Sequence, residues 1–219
     1  MTNTTLSRSD VSKGFIAEYE GFAALIEPLT AAEWDAPTRC TGFAVRDVAG
    51  HVIGLAEDTA AGVPGSRNAE EEAASVRHES PAGAAARLRA AAATVQALLD
   101  ALDADAWNGP SPVPELTLAQ GVLTLWYDAY VHADDVRATL GRPTDRGPGL
   151  DASVAYLARQ LETRGWGPAT LALDGMPRHD VGAGGREISG DPVAFVLAAT
   201  GRLEPALLGL DGTVNVYAD

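Results

Sequence analysis

Residues Thr117–Pro143 read TLAQGVLTLWYDAYVHADDVRATLGRP. Thr117, followed three residues later by Gln120, is a capping box that opens a helix. The helix runs to about Leu140, and Gly141 with Pro143 marks its end. Within it Leu118, Gly121, Leu125, Asp128, His132 and Asp135 step by threes and fours, so they share one face. Asp128 and His132 are one turn apart, and a carboxylate and an imidazole so placed can chelate one metal ion from a single helix.

Three more helices precede this one. Phe15, Ile16, Tyr19, Phe22, Ala23 and Ile26 recur at helical spacing, which predicts a helix over Ser9–Glu27, with Pro28 at its end. A connector, LTAAEWDAPTRCTGF, is punctuated by Trp34, Pro37 and Gly42. The second helix spans Ala44–Ala61. Val48, His51, Val52 and Leu55 share its inner face, and Asp47 in its first turn suits the positive end of the dipole. Gly62–Pro81 reads as a mobile loop with a short helical piece around Glu70–Val76. The alanine-rich stretch Ala82–Leu102 is the third helix, with Leu88, Val95, Leu98, Leu99 and Leu102 as its apolar stripe. DADAWNGPSPVPE reads as a helix breaker. Four helices joined in this way predict a bundle.

From Gly147 the texture changes. Asp151–Thr163 reads as a helix and Thr170–Asp174 as a strand. Asp180–Ile188 reads as strand, turn, strand, and Asp191–Thr200 as a helix with Pro192 at its first position. Thr213–Tyr217 alternates like a strand. The expected architecture is therefore mainly α: a four-helix bundle over residues 1–146, then a small α/β domain over residues 147–219.

Composition narrows the function. The net charge is −14, and a surface this acidic repels phosphate backbones and anionic lipid. Neither nucleic acid nor a membrane is an expected partner. No window approaches ~20 uninterrupted apolar residues, and the N-terminus carries no apolar run behind a basic start. Cys40 is the only cysteine, so no intrachain disulfide forms. The expected setting is the reducing cytoplasm.

His51 and His132 lie along apolar helical stripes. His51 of the second helix can supply a third ligand beside Asp128 and His132. Three protein ligands leave one coordination position open, which is the layout of a catalytic centre. Mixed nitrogen and oxygen donors suit zinc among the divalent metals. Asp134 or Asp135 can orient an imidazole from behind. The residues alone leave a plainer reading open, with His51 a hydrogen-bonded core residue and Asp128–His132 a buried ion pair.

Other residues read as structural. Glu70–Glu72, Arg87 and Arg89 are expected to be solvated, and His78 and His179 to lie exposed in loops. Cys40 is expected to be a small buried residue. Trp34, Trp107, Trp126 and Trp166 read as packing residues, with Trp126 and Tyr127 walling a pocket beside Asp128. GMPRHDVGAGGRE lacks the ending of a phosphate-binding loop and is not read as one.

Three stretches carry a family resemblance. Pro37–His51 (PTRCTGFAVRDVAGH) resembles the second-helix signature of the mycothiol-dependent maleylpyruvate isomerase family, of the DinB-like bundle superfamily. Asp128–Pro143 (DAYVHADDVRATLGRP) is similar to its fourth-helix signature, and Gly190–Arg202 to its small C-terminal domain. The resemblance implies a DinB-like four-helix bundle holding a divalent metal, commonly zinc, at His51, Asp128 and His132. It implies mycothiol as a thiol cosubstrate, and Arg202 as a catalytic anchor for a substrate carboxylate. Arg202 can equally be read as a basic residue complementing a helix C-terminus. Asp128 stands where the family usually has glutamate, Phe43 where it has tryptophan, and Ala44 where a Ser or Thr cap is frequent.

The function implied is isomerisation of a small electrophilic substrate of maleylpyruvate type. A mycothiol S-transferase, or a non-catalytic binding or regulatory module on the same fold, are the alternatives. The expected partners are a small thiol and a small electrophile, with the protein a monomer or a homodimer.

Overall fold

A computed structural model describes residues 6–218. The chain divides into two compact units, one spanning Arg8–Thr144 and the other built from Asp145 onward.

The first unit is the helical bundle. Its long helices are α1 (Arg8–Ile26), α3 (Val45–Ala60), α5 (Pro81–Ala101) and α7 (Leu118–Thr139), with short α2 (Ala31–Trp34), α4 (Ala69–Ala74) and α6 (Ala104–Asn108) between them. α1 packs on α5 and α7, and α3 packs on the same two, so the order around the bundle is α1, α5, α3, α7. Phe15, Phe22 and Ile26 of α1, Val48 and Ile53 of α3, Leu88 of α5 and Val136 of α7 are fully buried in its core. The helix starts follow their caps. Thr117 accepts from Gln120 N while Gln120 Oε1 accepts from Thr117 N. Ala44 offers no side-chain cap to α3, and Asp47 carries the reciprocal half by accepting from Ala44 N at 2.9 Å.

Two short helices were hidden in the breakers. The connector after α1 contains α2, opened by a capping box between Thr30 and Glu33. DADAWNGPSPVPE begins with α6, capped by Asp103 and held by buried Trp107. In both cases cap and aromatic anchor outweigh the proline and glycine that follow. The segment read as a mobile loop is tied at both flanks of α4. Arg67 donates to Asp58 and to Gly54 O, and Arg87 donates to Glu57 and to Ser75 O. Arg87 is thus half-buried and paired rather than solvated, and Arg89 pairs with Glu27.

Glycines set two close approaches. The Trp126 ring lies across Gly14, where a Cβ would stand 2.1 Å from its Cη2. Trp126 Nε1 donates to the buried Glu18 carboxylate at 3.3 Å. Gly50 and Gly54, one turn apart on α3, receive α4. A Cβ on Gly50 would meet Ala73 Cα at 2.7 Å, and one on Gly54 would meet Glu72 Cβ at 2.6 Å.

In the second unit, α8 (Pro148–Thr163) and α9 (Pro192–Ala199) pack together. The sheet has the order β2-β1-β3, from β1 (Ala169–Leu173), β2 (His179–Val181) and β3 (Arg186–Gly190). β2 pairs antiparallel and β3 parallel to β1, with Leu171 opposite both His179 and Ile188. Two expectations fail here. Thr213–Tyr217 is not a strand: Asp211 accepts from Thr213 N and starts a 3-10 turn, Gly212–Val214, so local turn chemistry overrides the alternation. His179 is not an exposed loop residue but lies buried on β2, which packs on α8. Burial lowers its pKa, against the pull of nearby Asp151.

Two outcomes test this packing. Gly14→Ala should lose about 1–3 kcal/mol in denaturant unfolding, because Trp126 must move. Gly21→Ala, on the exposed side of the same helix with nothing within 4 Å of the new Cβ, should gain up to about 1 kcal/mol. Arg67 holds the Asp58 carboxyl below its ordinary pKa, with Ser66 assisting. The stability this pair contributes is present above the ordinary carboxylate range and lost as pH falls through the lowered value. Asp58→Asn should therefore cost about 1.5–3 kcal/mol at pH 7. The gap to the parent should narrow in urea titrations as pH falls below the ordinary carboxylate range.

Candidate metal centre

The centre is built from α3 and α7. His51 sits in the second turn of α3, and Asp128 and His132 lie one turn apart on α7. Neither α3 nor α7 can turn its apolar stripe inward without bringing these side chains along, since His51 follows Val48 on one face and Asp128 and His132 lie on the stripe begun by Leu118. His51 Nε2 lies 3.5 Å from Asp128 Oδ2, and His132 Nε2 lies 3.6 Å from Asp128 Oδ1. The two imidazoles meet edge to face with centroids 4.9 Å apart. One donor atom from each of the three residues falls within 4.8 Å of the others. Each side chain keeps roughly a fifth of its surface exposed (17–20%), so the cluster is reachable from solvent.

The far nitrogen of each ring is anchored. Glu72 Oε2 lies 2.6 Å from His51 Nδ1, and Asp135 Oδ2 lies 3.0 Å from His132 Nδ1. A carboxylate oxygen accepts, so both Nδ1 atoms donate and both Nε2 atoms turn toward Asp128. Such backing by carboxylates is the usual support of a metal-ligating histidine. The spacing also fits. Tetrahedral donors at zinc bond lengths stand about 3.4 Å apart, close to the two distances found here. These residues could hold a divalent cation, with Asp128 reaching both imidazoles despite its short side chain.

Charge favours the same conclusion. Burial works against a charged His51 ring, but the hydrogen bonds and charges of Asp128 and Glu72 outweigh it and raise its pKa to about 10. The pocket thus attracts positive charge, whether a proton or a cation. Burial, then the charges of Asp128 and Glu72, push the Tyr19 phenol well above its ordinary range, so it adds no further negative charge.

A loop before α3 completes the surroundings. Thr38 N and Oγ1 both donate to Phe43 O, closing a tight loop whose Gly42 has φ +86°. The loop extends Arg39 and Cys40 toward α7. Arg39 bonds Asp135 Oδ1 and Asp134 Oδ2, each at 2.5 Å, and Cys40 Sγ lies 3.0 Å from Asp135 Oδ2. Cys40 is therefore half-buried and a partner of the anchoring carboxylate, not merely a small buried residue. Trp126 and Tyr127 are buried beside Asp128. Asp135, not Asp134, backs His132.

Sequence reading missed three contributors. Glu72 was expected in a solvated acidic run, but it is 2% exposed and bonds His51. Its neighbours Glu70 and Glu71 are exposed as expected. Tyr19 and Arg39 carry no motif of their own. The signal for Glu72 was the Gly50–Gly54 pair, which implies that something lies close against α3. Arg202 belongs to the other unit, past the end of α9, where Nη1 donates to Thr200 O at 3.2 Å.

The comparisons agree with the bundle. Residues 15–137 match the family model of the mycothiol maleylpyruvate isomerase N-terminal domain. No curated protein matches the sequence. Two solved structures resemble the chain: the crystal structure of the mycothiol-dependent maleylpyruvate isomerase, with TM-score 0.60, and that of a histidine-to-alanine mutant, with TM-score 0.59. Each is 18% identical, with 89% of this chain and 88% of that chain covered, which shows a shared fold. By the match that spans α1 to α7, the chain belongs to the mycothiol maleylpyruvate isomerase N-terminal domain family.

Proposed function

We propose that the chain is a metal-dependent enzyme of maleylpyruvate isomerase type, using mycothiol to act on a small electrophilic substrate. The observation that carries this is the convergence of His51 Nε2, His132 Nε2 and Asp128 on one point, with both Nδ1 atoms held from behind. Family membership supports the choice of thiol and of reaction type.

In this reading His51, Asp128 and His132 hold a divalent cation, with zinc suited to the donor set. A zinc ion held there would supply the Lewis acidity that lowers a thiol's pKa and favours its thiolate at neutral pH. Glu72 and Asp135 keep the Nδ1 protons and fix both rings. Arg202 is the proposed anchor for a substrate carboxylate, since its planar guanidinium matches that group in a two-pronged pairing. The isomerisation adds the thiol across the substrate's double bond, rotates about the resulting single bond and expels the thiol. A reducing compartment such as the cytoplasm keeps the cosubstrate in its thiol form. No described helix is long and apolar enough to cross a membrane.

Metal analysis after reconstitution at neutral pH is the first test. The parent should retain about one zinc per chain, and His51→Ala and His132→Ala should lose most of it. Equal content in all three would exclude the histidines as ligands. Absence from all three would favour a binding or regulatory module. Assays of the metal-loaded protein with mycothiol then separate the reactions. Isomerisation of maleylpyruvate without net thiol consumption is expected. Accumulation of a thiol adduct of a generic electrophile would instead identify a transferase. Turnover without any thiol would contradict the mechanism.

A further inference from the structure

We infer that Glu72 is a positioning residue that couples the docking of α4 to cation binding at His51. The inference rests on the metal reading above and concerns how this chain tunes that centre.

The two anchoring carboxylates differ in origin. Asp135 lies on the same helix as His132, three residues along, so the helix itself sets their geometry. Asp135 is also shared: Arg39 takes its Oδ1, and Cys40 approaches the Oδ2 that faces His132. Glu72 comes from a different element, 21 residues after His51. Its side chain is 3% exposed. A carboxylate is costly to bury, and one partnered by imidazole N–H is more tolerable than one left alone.

α4 is poorly equipped to stand by itself. It has six residues, and helices of fewer than about 12–15 residues are marginal without tertiary support. That support is specific. Gly50 and Gly54 of α3 lie on either side of His51 in sequence and make room for Ala73 and for the Glu72 stem. Asn68 caps the helix, Arg67 ties its entrance to Asp58, and Arg87 ties its exit through Ser75 O. Docking of α4 delivers the Glu72 carboxylate to His51 Nδ1, which keeps Nε2 facing Asp128. A cation at Nε2 then strengthens the Nδ1 hydrogen bond in return. Coupling of this kind is reciprocal: whatever docked α4 contributes to cation affinity, the cation contributes to docking.

Zinc affinity by chelator competition, read beside amide hydrogen exchange of residues 69–76, tests the coupling. Glu72→Ala should weaken zinc binding about 10–100-fold and abolish zinc-dependent protection of those amides. Glu72→Gln, whose amide oxygen still accepts from Nδ1, should recover much of both. Gly54→Val, which keeps Glu72 but crowds α4, should weaken zinc in the same direction as Glu72→Ala. In the zinc-loaded parent the His51 Nδ1 proton, held on Glu72, should be protected from exchange with solvent, and in zinc-loaded Glu72→Ala it should exchange faster. If Glu72→Ala binds zinc as tightly as the parent while His51→Ala does not, the coupling is overturned and the metal reading stands. If the parent takes up no zinc, both fall.

Discussion

Gathering like charges inside a helical bundle is unfavourable, and the centre of this protein gathers three carboxylates around two imidazoles. Asp128 faces both Nε2 atoms, while Glu72 and Asp135 stand behind the rings. The arrangement is tolerable because each carboxylate meets an N–H donor or a guanidinium, and because the middle of the cluster is suited to positive charge. The elevated pKa of His51 is the same fact seen from the ring. A bundle with an apolar centre here would be simpler to stabilise.

Holding that cluster requires backbone elements to approach closely, and glycine makes this possible. Gly50 and Gly54 let α4 lie against α3, and Gly14 lets the Trp126 ring cross α1. Trp126 is thereby placed with its indole N–H on Glu18, two residues before Asp128 in the chain. The loop closed by Thr38 and Phe43 works in the same sense, because it delivers Arg39 to the adjacent carboxylates Asp134 and Asp135. Packing and electrostatics are thus one problem in this bundle.

The chain by itself determined a good deal. Helical periodicity and the Thr117–Gln120 box located α7 to within a residue or so, and with it the one-turn separation of Asp128 and His132. Those features are local, since a helix converts spacing directly into direction. The long helices α1, α3 and α5 were legible for the same reason, as was α9 from Pro192. Short elements were less so. α2 and α6 depend on a cap and one buried tryptophan each, and the expected strand at Thr213–Tyr217 gave way to the turn that Asp211 begins.

Tertiary structure alone decided what stands behind the ligands. Within the run Glu70–Glu72, three identical carboxylates differ only in which way a six-residue helix rolls against α3, and that roll sends Glu72 inward while Glu70 and Glu71 stay in solvent. Likewise nothing in the residues around Arg39, Cys40 or His179 marks them as paired or buried. Their surroundings come from elements distant in the chain, with Arg39 meeting Asp135 across 96 positions. Sequence spacing encodes direction along one helix, whereas a contact between helices depends on how closely their backbones pack.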